Sequence, residues 1–246
     1  MVEPVPGGED HTLRAYTFEL GKCYEQAVKE RQLQALANID ADLCAGVAAG
    51  LGLPAPAPTE APADVQPSPA LSQLGRQWPT TGRVIGIVAD ESSDLDSVRT
   101  VRDAVFAGGM IPLVIAPHGG QLKGGGGDPV VIQRTFLTAR SVEYDAILLA
   151  GTPAPAPDAM PSGDAKAGAP STPELDPRVA LMLSEAYRHC KALGGWADSV
   201  VAVTAAGCPV DAAGVVLGGD PSAVLAQVVD LLAKHRVWER FETASR

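Results

Sequence analysis

Apolar residues fall into two regimes along this chain, separated by a proline-rich stretch. From Tyr16 to Leu53 they recur at helical spacing. Leu36, Ile39, Leu43 and Val47 follow at +3, +4 and +4, and Leu33 and Val28 extend the stripe upstream. Asp40 is placed to cap a second helix, Gly50 and Gly52 end the stretch, and Pro54 prevents its return. Residues 1–16, polar and rich in Gly and Pro, are expected to be irregular, so the helical stripe has no partner there. Left alone, it should stay exposed and drive self-association. Pro54–Pro69 carries six prolines among Ala, Thr, Glu and Ser, a composition that extends and cannot build a core.

From about Thr80 the pattern changes to short uninterrupted apolar runs. Arg83–Asp90, RVIGIVAD, reads as a strand buried on both faces, as in a parallel sheet. Ser92 or Ser93 stands where a helix cap belongs, and Val98, Val101, Arg102 and Val105 then recur at helical spacing until Gly108-Gly109. Ile111–Ala116 follows as a second strand, which completes a βαβ unit. Pro117–Gly127 has glycines without phosphate-loop spacing and reads as a hairpin-like connection. Val130–Phe136 and Tyr144–Gly151 read as further strands. Thr152–Pro177, with seven prolines, is expected to be an exposed mobile loop. Arg178–Leu193 reads as a helix burying Val179, Met182, Leu183, Ala186, Tyr187 and Cys190, and Val200–Ala206 as a strand. Asp220-Pro221 opens a last helix with Val224, Leu225, Val228, Leu231 and Leu232 inward.

Composition narrows the function classes. With 246 residues and 46% hydrophobic content the chain can bury a sizeable core. Its net charge of −10 argues against nucleic acid and anionic membrane as partners. No apolar run is long enough to span a bilayer, and MVEPVPGGED lacks the basic and apolar regions of a signal peptide. Cys23, Cys44, Cys190 and Cys208 form no CxxC pair, which fits a reducing cytoplasm and indicates neither a zinc site nor a disulfide framework.

The segment FELGKCYEQAVKERQLQALANIDADLCAGVAAGLGLPAP resembles the stretch that closes the catalytic core of haem catalases. Phe18-Glu19-Leu20, Lys22, Arg31, Leu33, Leu36, Asn38–Asp40, Leu43, Val47-Ala48 and Gly50–Leu53 match that pattern in order. Lys123 onward through SVEYDAILLAG, and HRVWERF at 235–241, are similar to the large-subunit catalases as well. The resemblance implies the closing helices of a catalase core at 1–53, a linker at 54–79, and a C-terminal domain at 80–246. That domain would be an α/β, flavodoxin-like three-layer sandwich with a mainly parallel sheet, related to class I glutamine amidotransferases and the DJ-1/PfpI group. It also implies a haem-containing tetrameric parent that converts hydrogen peroxide to water and oxygen, whose remaining subunit would be this chain's partner.

No catalytic, cofactor-binding or metal residue is assigned within the chain itself. Related enzymes carry a nucleophilic cysteine on an elbow between strand and helix, and ALGGWADS puts Trp196 or Ala197 at that place. Cys190 reads as a small buried hydrophobe; Cys208 is the better thiol candidate but has no His or Asp near it in sequence. Asp90, Glu91, Asp94 and Asp96 follow the first strand, where α/β ligands bind, but read as solvated charge at a helix N-terminus. His11, His118, His189 and His235 are scattered, which makes metal binding a poor assignment. Haem held by tyrosine needs an Arg-x-x-x-Tyr setting that Tyr16, Tyr24, Tyr144 and Tyr187 lack. The expected role is structural: stability, assembly or substrate access. The alternatives are a free-standing hydrolase or chaperone using Cys208 or a cleft at Asp90, and a small-ligand binding module.

Overall fold

The computed structural model describes residues 8–60, 70, 73–124, 126–156 and 175–240. The chain divides into two compact units, one within Met1–Leu74 and the other Gly75–Arg240.

The first unit has three helices: α1 (Gly8–Gly21), α2 (Gln26–Ala37) and α3 (Ala41–Leu51). The irregular structure expected for residues 1–16 is corrected from Gly8 onward. Leu13, Tyr16 and Leu20 stand at +3 and +4, a short stripe that packs on the next two helices. Thus α1 supplies the partner that the α2–α3 stripe needed. The core is Leu20, Leu33, Leu36, Ala37, Cys44, Val47 and Ala48. α1 crosses α3 so closely that a Cβ at Gly46 would collide with the Leu13 side chain, and one at Gly50 would lie 2.7 Å from Thr17 Cγ2. The helical stretch is also not continuous. Asp40 caps α3 by accepting from the amides of Asp42 (2.9 Å) and Leu43 (3.0 Å), which leaves Ile39 in the preceding turn, 63% exposed. Ile39 and the exposed Val28 therefore leave the expected stripe. Beyond α3 the chain is held back on α2: Gln34 Nε2 donates to the Ala57 carbonyl at 3.0 Å, and Asn38 Oδ1 accepts from Thr59 N at 2.8 Å. The prolines at 62, 67 and 69 lie outside the described residues.

The second unit runs β1 (Val84–Val88), α4 (Leu95–Ala107), β2 (Ile111–Ala116), β3 (Gly120–Leu122), β4 (Val130–Ile132), β5 (Arg134–Thr135), β6 (Ala146–Ala150), α5 (Pro177–Arg188), β7 (Ala192–Trp196), α6 (Ser199–Ala205), β8 (Val215–Leu217) and α7 (Pro221–Leu232). Six strands make one parallel sheet in the order β5-β2-β1-β6-β7-β8, and β3 pairs with β4 as a separate hairpin. Without the two-residue edge strand β5, the order is the 2-1-3-4-5 of flavodoxin-like sheets. Alternate strand residues face opposite layers. Ile85, Ile87, Ala146 and Leu148 pack with α4 and α7, while Val88, Ile147, Leu149 and Leu193 pack with α5 and α6. The result is a three-layer α/β sandwich.

Several expected elements change here. The helix expected over Arg178–Leu193 ends at Arg188, and Cys190 (φ 55°) turns the chain into β7, which pairs with both β6 and β8. Val200–Ala206, expected as a strand, is α6. α4 is capped by Asp94, which accepts from the Asp96 amide at 3.1 Å, while Ser92 and Ser93 serve a different purpose described below. Leu231 is only partly buried on α7. Residues 157–174 lie outside the described residues, but the two ends of that expected exposed loop are buried: Ala156 and Leu175 join the α5–α6 core.

Candidate functional site

In an open parallel sheet the ligand crevice lies beyond the carboxyl ends of the strands, at the point where strand order reverses. Here the reversal lies between β1 and β6. The candidate site is therefore framed by the segments leaving those strands, Ala89–Ser93 and Gly151–Ala156, with the β7–α6 turn beside them.

Asp90 occupies the centre of that frame and is 2% exposed, which corrects its reading as solvated charge. Its Oδ1 accepts from Ser92 N (2.8 Å), Ser92 Oγ (2.7 Å), Ser93 N (3.2 Å) and Ser93 Oγ (3.3 Å). Its Oδ2 accepts from Ala154 N at 2.7 Å, across the reversal point. The carboxylate stitches the crevice shut with the protein's own amides. The other acids of this stretch go separate ways. Asp94 caps α4, Asp96 pairs with Arg99 at 2.9 Å, and Glu91 meets His118 Nε2 from the exposed β2–β3 turn. The Gly119 carbonyl, followed by Glu91, raises the His118 pKa.

The β7–α6 turn keeps the backbone form of a nucleophile elbow. Ala197 sits between strand and helix at φ 53°, in the left-handed region that a side chain adopts only under local constraint. Its methyl group carries no nucleophile. The next residue, Asp198, is exposed and ties the turn to the loop after β6: its Oδ1 accepts from Thr152 N at 2.9 Å, and Thr152 Oγ1 donates to the Asp198 carbonyl at 2.8 Å. Gly151 (φ 97°) permits this, since a Cβ there would lie 2.9 Å from Asp198 Oδ1. Trp196 fills the adjoining space, 4% exposed, with its indole N–H on Ser97 Oγ at 3.0 Å. Deeper in the same loop, Asp176 accepts from the amides of Ala156 (3.0 Å) and Arg178 (2.9 Å) and pairs with the Arg178 guanidinium. Burial opposes its charge, but Arg178 and the two amides outweigh burial and hold the carboxyl below its usual value.

The thiols lie elsewhere. Cys208 and Cys190 are buried, 4% and 2% exposed, and burial raises both against the opposing pull of Arg240. A raised thiol in an apolar core is the inert kind. Among the described residues no three His, Cys, Asp or Glu side chains are grouped to hold a metal ion. A groove of about 300 Å³ opens at the other end of the strands, lined by Arg102, Asp103, Phe106, Met110, Ile111, Pro112 and Gln133.

Haem does not fit these residues. Tyr144 is buried with its hydroxyl lacking a hydrogen-bond partner among the described residues, and burial drives its pKa far above the ordinary phenol value, against the phenolate a haem iron needs. Tyr187 lies beneath the Arg240 guanidinium (4.5 Å), and the groove presents no His, Cys or Tyr.

Comparison with known proteins supplies what this rim does not. The family described as the C-terminal domain found in long catalases matches residues 81–242, and one described as catalase-related immune-responsive matches residues 8–51. Catalase HPII of Pseudomonas aeruginosa is 31% identical over 94% of this chain and 31% of its own length. Catalase-2 of Bacillus subtilis is 28% identical over 96% of this chain and 32% of its own. Catalase-B of Dictyostelium discoideum is 26% identical over 97% and 33%. The chain thus spans about a third of the length of these relatives. No helix among the described residues is long and apolar enough to cross a membrane. With the domain match covering more than half of its residues, the chain belongs to the long-catalase family, and its α/β unit is that family's C-terminal domain.

Proposed function

We propose that this chain is the non-catalytic carboxy-terminal part of a long catalase, serving stability, assembly or substrate access in a cytoplasmic homo-oligomer, a tetramer as the resemblance implies. The peroxide dismutation and the haem belong to the portion that the relatives carry beyond this chain. One observation carries this reading: the crevice where an α/β domain takes a ligand is occupied by the buried Asp90 and Trp196 and bridged at its edge by the exposed Asp198, each satisfied by the chain's own backbone or side chains. The elbow beside it holds alanine.

The test is titration of the purified chain with hemin, followed by an oxygen-evolution assay with hydrogen peroxide. The expected outcome is no saturable change in the haem absorption band and no oxygen above the free-hemin background. Stoichiometric hemin uptake with peroxide turnover would overturn the reading. Removing the matching region from the Pseudomonas aeruginosa relative should lower its thermal inactivation midpoint and leave the rate per haem unchanged.

A further inference from the structure

We propose that Trp78, His235 and Trp238 form an acid-released latch on the segment that leads into β1. Trp78 precedes the first strand, and its amide donates to the Ala233 carbonyl at 2.7 Å, just past the end of α7. Its indole ring lies 6.2 Å from the His235 imidazole at an interplanar angle of 53°, and that of Trp238 also lies 6.2 Å from the imidazole, at 51°. His235 reaches this place through a left-handed backbone, φ 71°. The sandwich joins the segment before β1 to the stretch after α7, although the two are far apart in sequence.

The cluster is built for a neutral imidazole. Trp78 Nε1 and His235 Nδ1 are both buried without a hydrogen-bond partner among the described residues. A proton on Nδ1 would be a buried charged donor with no acceptor, which is costly. The charged groups facing His235 are Arg236 from its own segment, Arg83 at the start of β1, and Asp145 before β6. Asp145 alone favours the imidazolium, and it is already engaged by Arg83 Nη1 and Val84 N, each at 2.9 Å. The indole faces attract a cation only within about 6 Å, so tilted rings at this separation add little. Burial, followed by the two guanidinium groups, therefore lowers the His235 pKa.

The sign follows from linkage. A released His235 takes up its proton near the ordinary value of about 6.5, while the latched one resists until lower pH. Latching is fully favourable above about pH 6.5 and weakens as pH falls below it. Acid detaches Trp78 from Ala233, whereas the bond from Gly82 N to the Gly109 carbonyl (2.8 Å) contains no titrating group and stays.

Amide hydrogen exchange on the intact chain between pH 7.5 and 5.5, corrected for intrinsic rates, reads this directly. The Trp78 amide should lose protection several-fold on acidification, while the Gly82 amide keeps its own. In His235→Asn, which tolerates a left-handed backbone, the Trp78 value should not change with pH. Constant Trp78 protection in the natural chain, or an equal loss in H235N, would sink the proposal. A second readout does not depend on the variant's folding: the His235 ring, followed by NMR in the natural chain, should titrate below 6.5. Titration at or above that value would refute the latch.

Discussion

The two ends of the parallel sheet use their charges in opposite ways. At the carboxyl ends, Asp90, Asp198 and Asp176 each take amides from a neighbouring loop. At the amino ends the fully buried charges are cationic. Lys191 donates to the carbonyls of Ser141 (2.6 Å) and Tyr144 (2.7 Å), and Arg240 donates to the Lys191 carbonyl and to that of Tyr187 (3.2 Å). The carboxyl rim of an α/β sheet is ordinarily where ligand chemistry sits. In this domain both rims bind backbone: Asp90, Asp198 and Asp176 take N–H groups at one end, while at the other Lys191 and Arg240 take C=O groups beside the half-buried Arg83–Asp145 pair, whose carboxylate takes the Val84 N–H. Comparing them separates a rim that could have held a ligand from one that only holds the fold.

The largest effect should come from the carboxyl rim. Asp90→Ala leaves the amides of Ser92 and Ala154 without their acceptor, leaves that of Ser93 only the Asp90 carbonyl at 3.2 Å, and opens the reversal point. At roughly 1–3 kcal/mol per unsatisfied buried group, offset where water enters, a loss of about 3 kcal/mol is expected in urea unfolding. Asp90→Asn should cost less, because Oδ1 can still serve the serines while only the Ala154 bond is lost. A change below about 0.5 kcal/mol for the alanine variant, the range of ordinary surface substitutions, would mean the stitch contributes nothing.

Lys191→Met comes next, at about 2 kcal/mol of destabilisation. It takes a donor from two carbonyls, of which that of Ser141 keeps the Tyr144 amide at 3.3 Å, but also removes a charge whose burial, aided by Arg236, lowers the lysine pKa. The two effects oppose each other, which is why this loss should be smaller than that of Asp90→Ala. An unfolding free energy higher than that of the natural chain would show that the buried charge costs more than its two carbonyl bonds return, as happens for some buried ion pairs.

How much of this was legible in the sequence depends on whether the signal is local. RVIGIVAD, IPLVIA and YDAILLAG reveal the central strands because burial on both faces leaves uninterrupted apolar runs. β7 was hidden because its sequence, ALGGW, has two glycines in five residues. Those glycines exist for tertiary reasons: a Cβ at Gly194 would meet Leu148 at 2.6 Å and Val228 of α7 at 2.9 Å. The helix at 199–205 reads as a strand in sequence because SVVAVTA is rich in β-branched residues, and its position after the elbow overrides that propensity. α1 is illegible in the sequence because its polar residues mask three apolar positions whose partners lie far along the chain. The closure of the crevice was invisible for the same reason, since Asp90 and Ala154 are 64 residues apart. The missing nucleophile was readable at Trp196–Ala197, but the left-handed backbone that frames it was not.

That backbone gives the smallest and most discriminating prediction. Ala197 at φ 53° pays the steric cost of a left-handed L-residue, about 1–2 kcal/mol. Glycine avoids that cost but leaves the unfolded chain freer, which takes back roughly 0.5–1 kcal/mol. Ala197→Gly should therefore stabilise the domain by no more than about 1 kcal/mol in thermal unfolding. Gly151→Ala, across the same turn, should destabilise it, because φ is 97° there and the new methyl would press on Asp198 Oδ1. If both behave so, the elbow is held by Asp198 and Thr152 against the preference of its own residue, and its shape outlasts any nucleophile. If Ala197→Gly destabilises instead, the methyl group is packed where a catalytic side chain would stand, and alanine is the residue the closed rim requires.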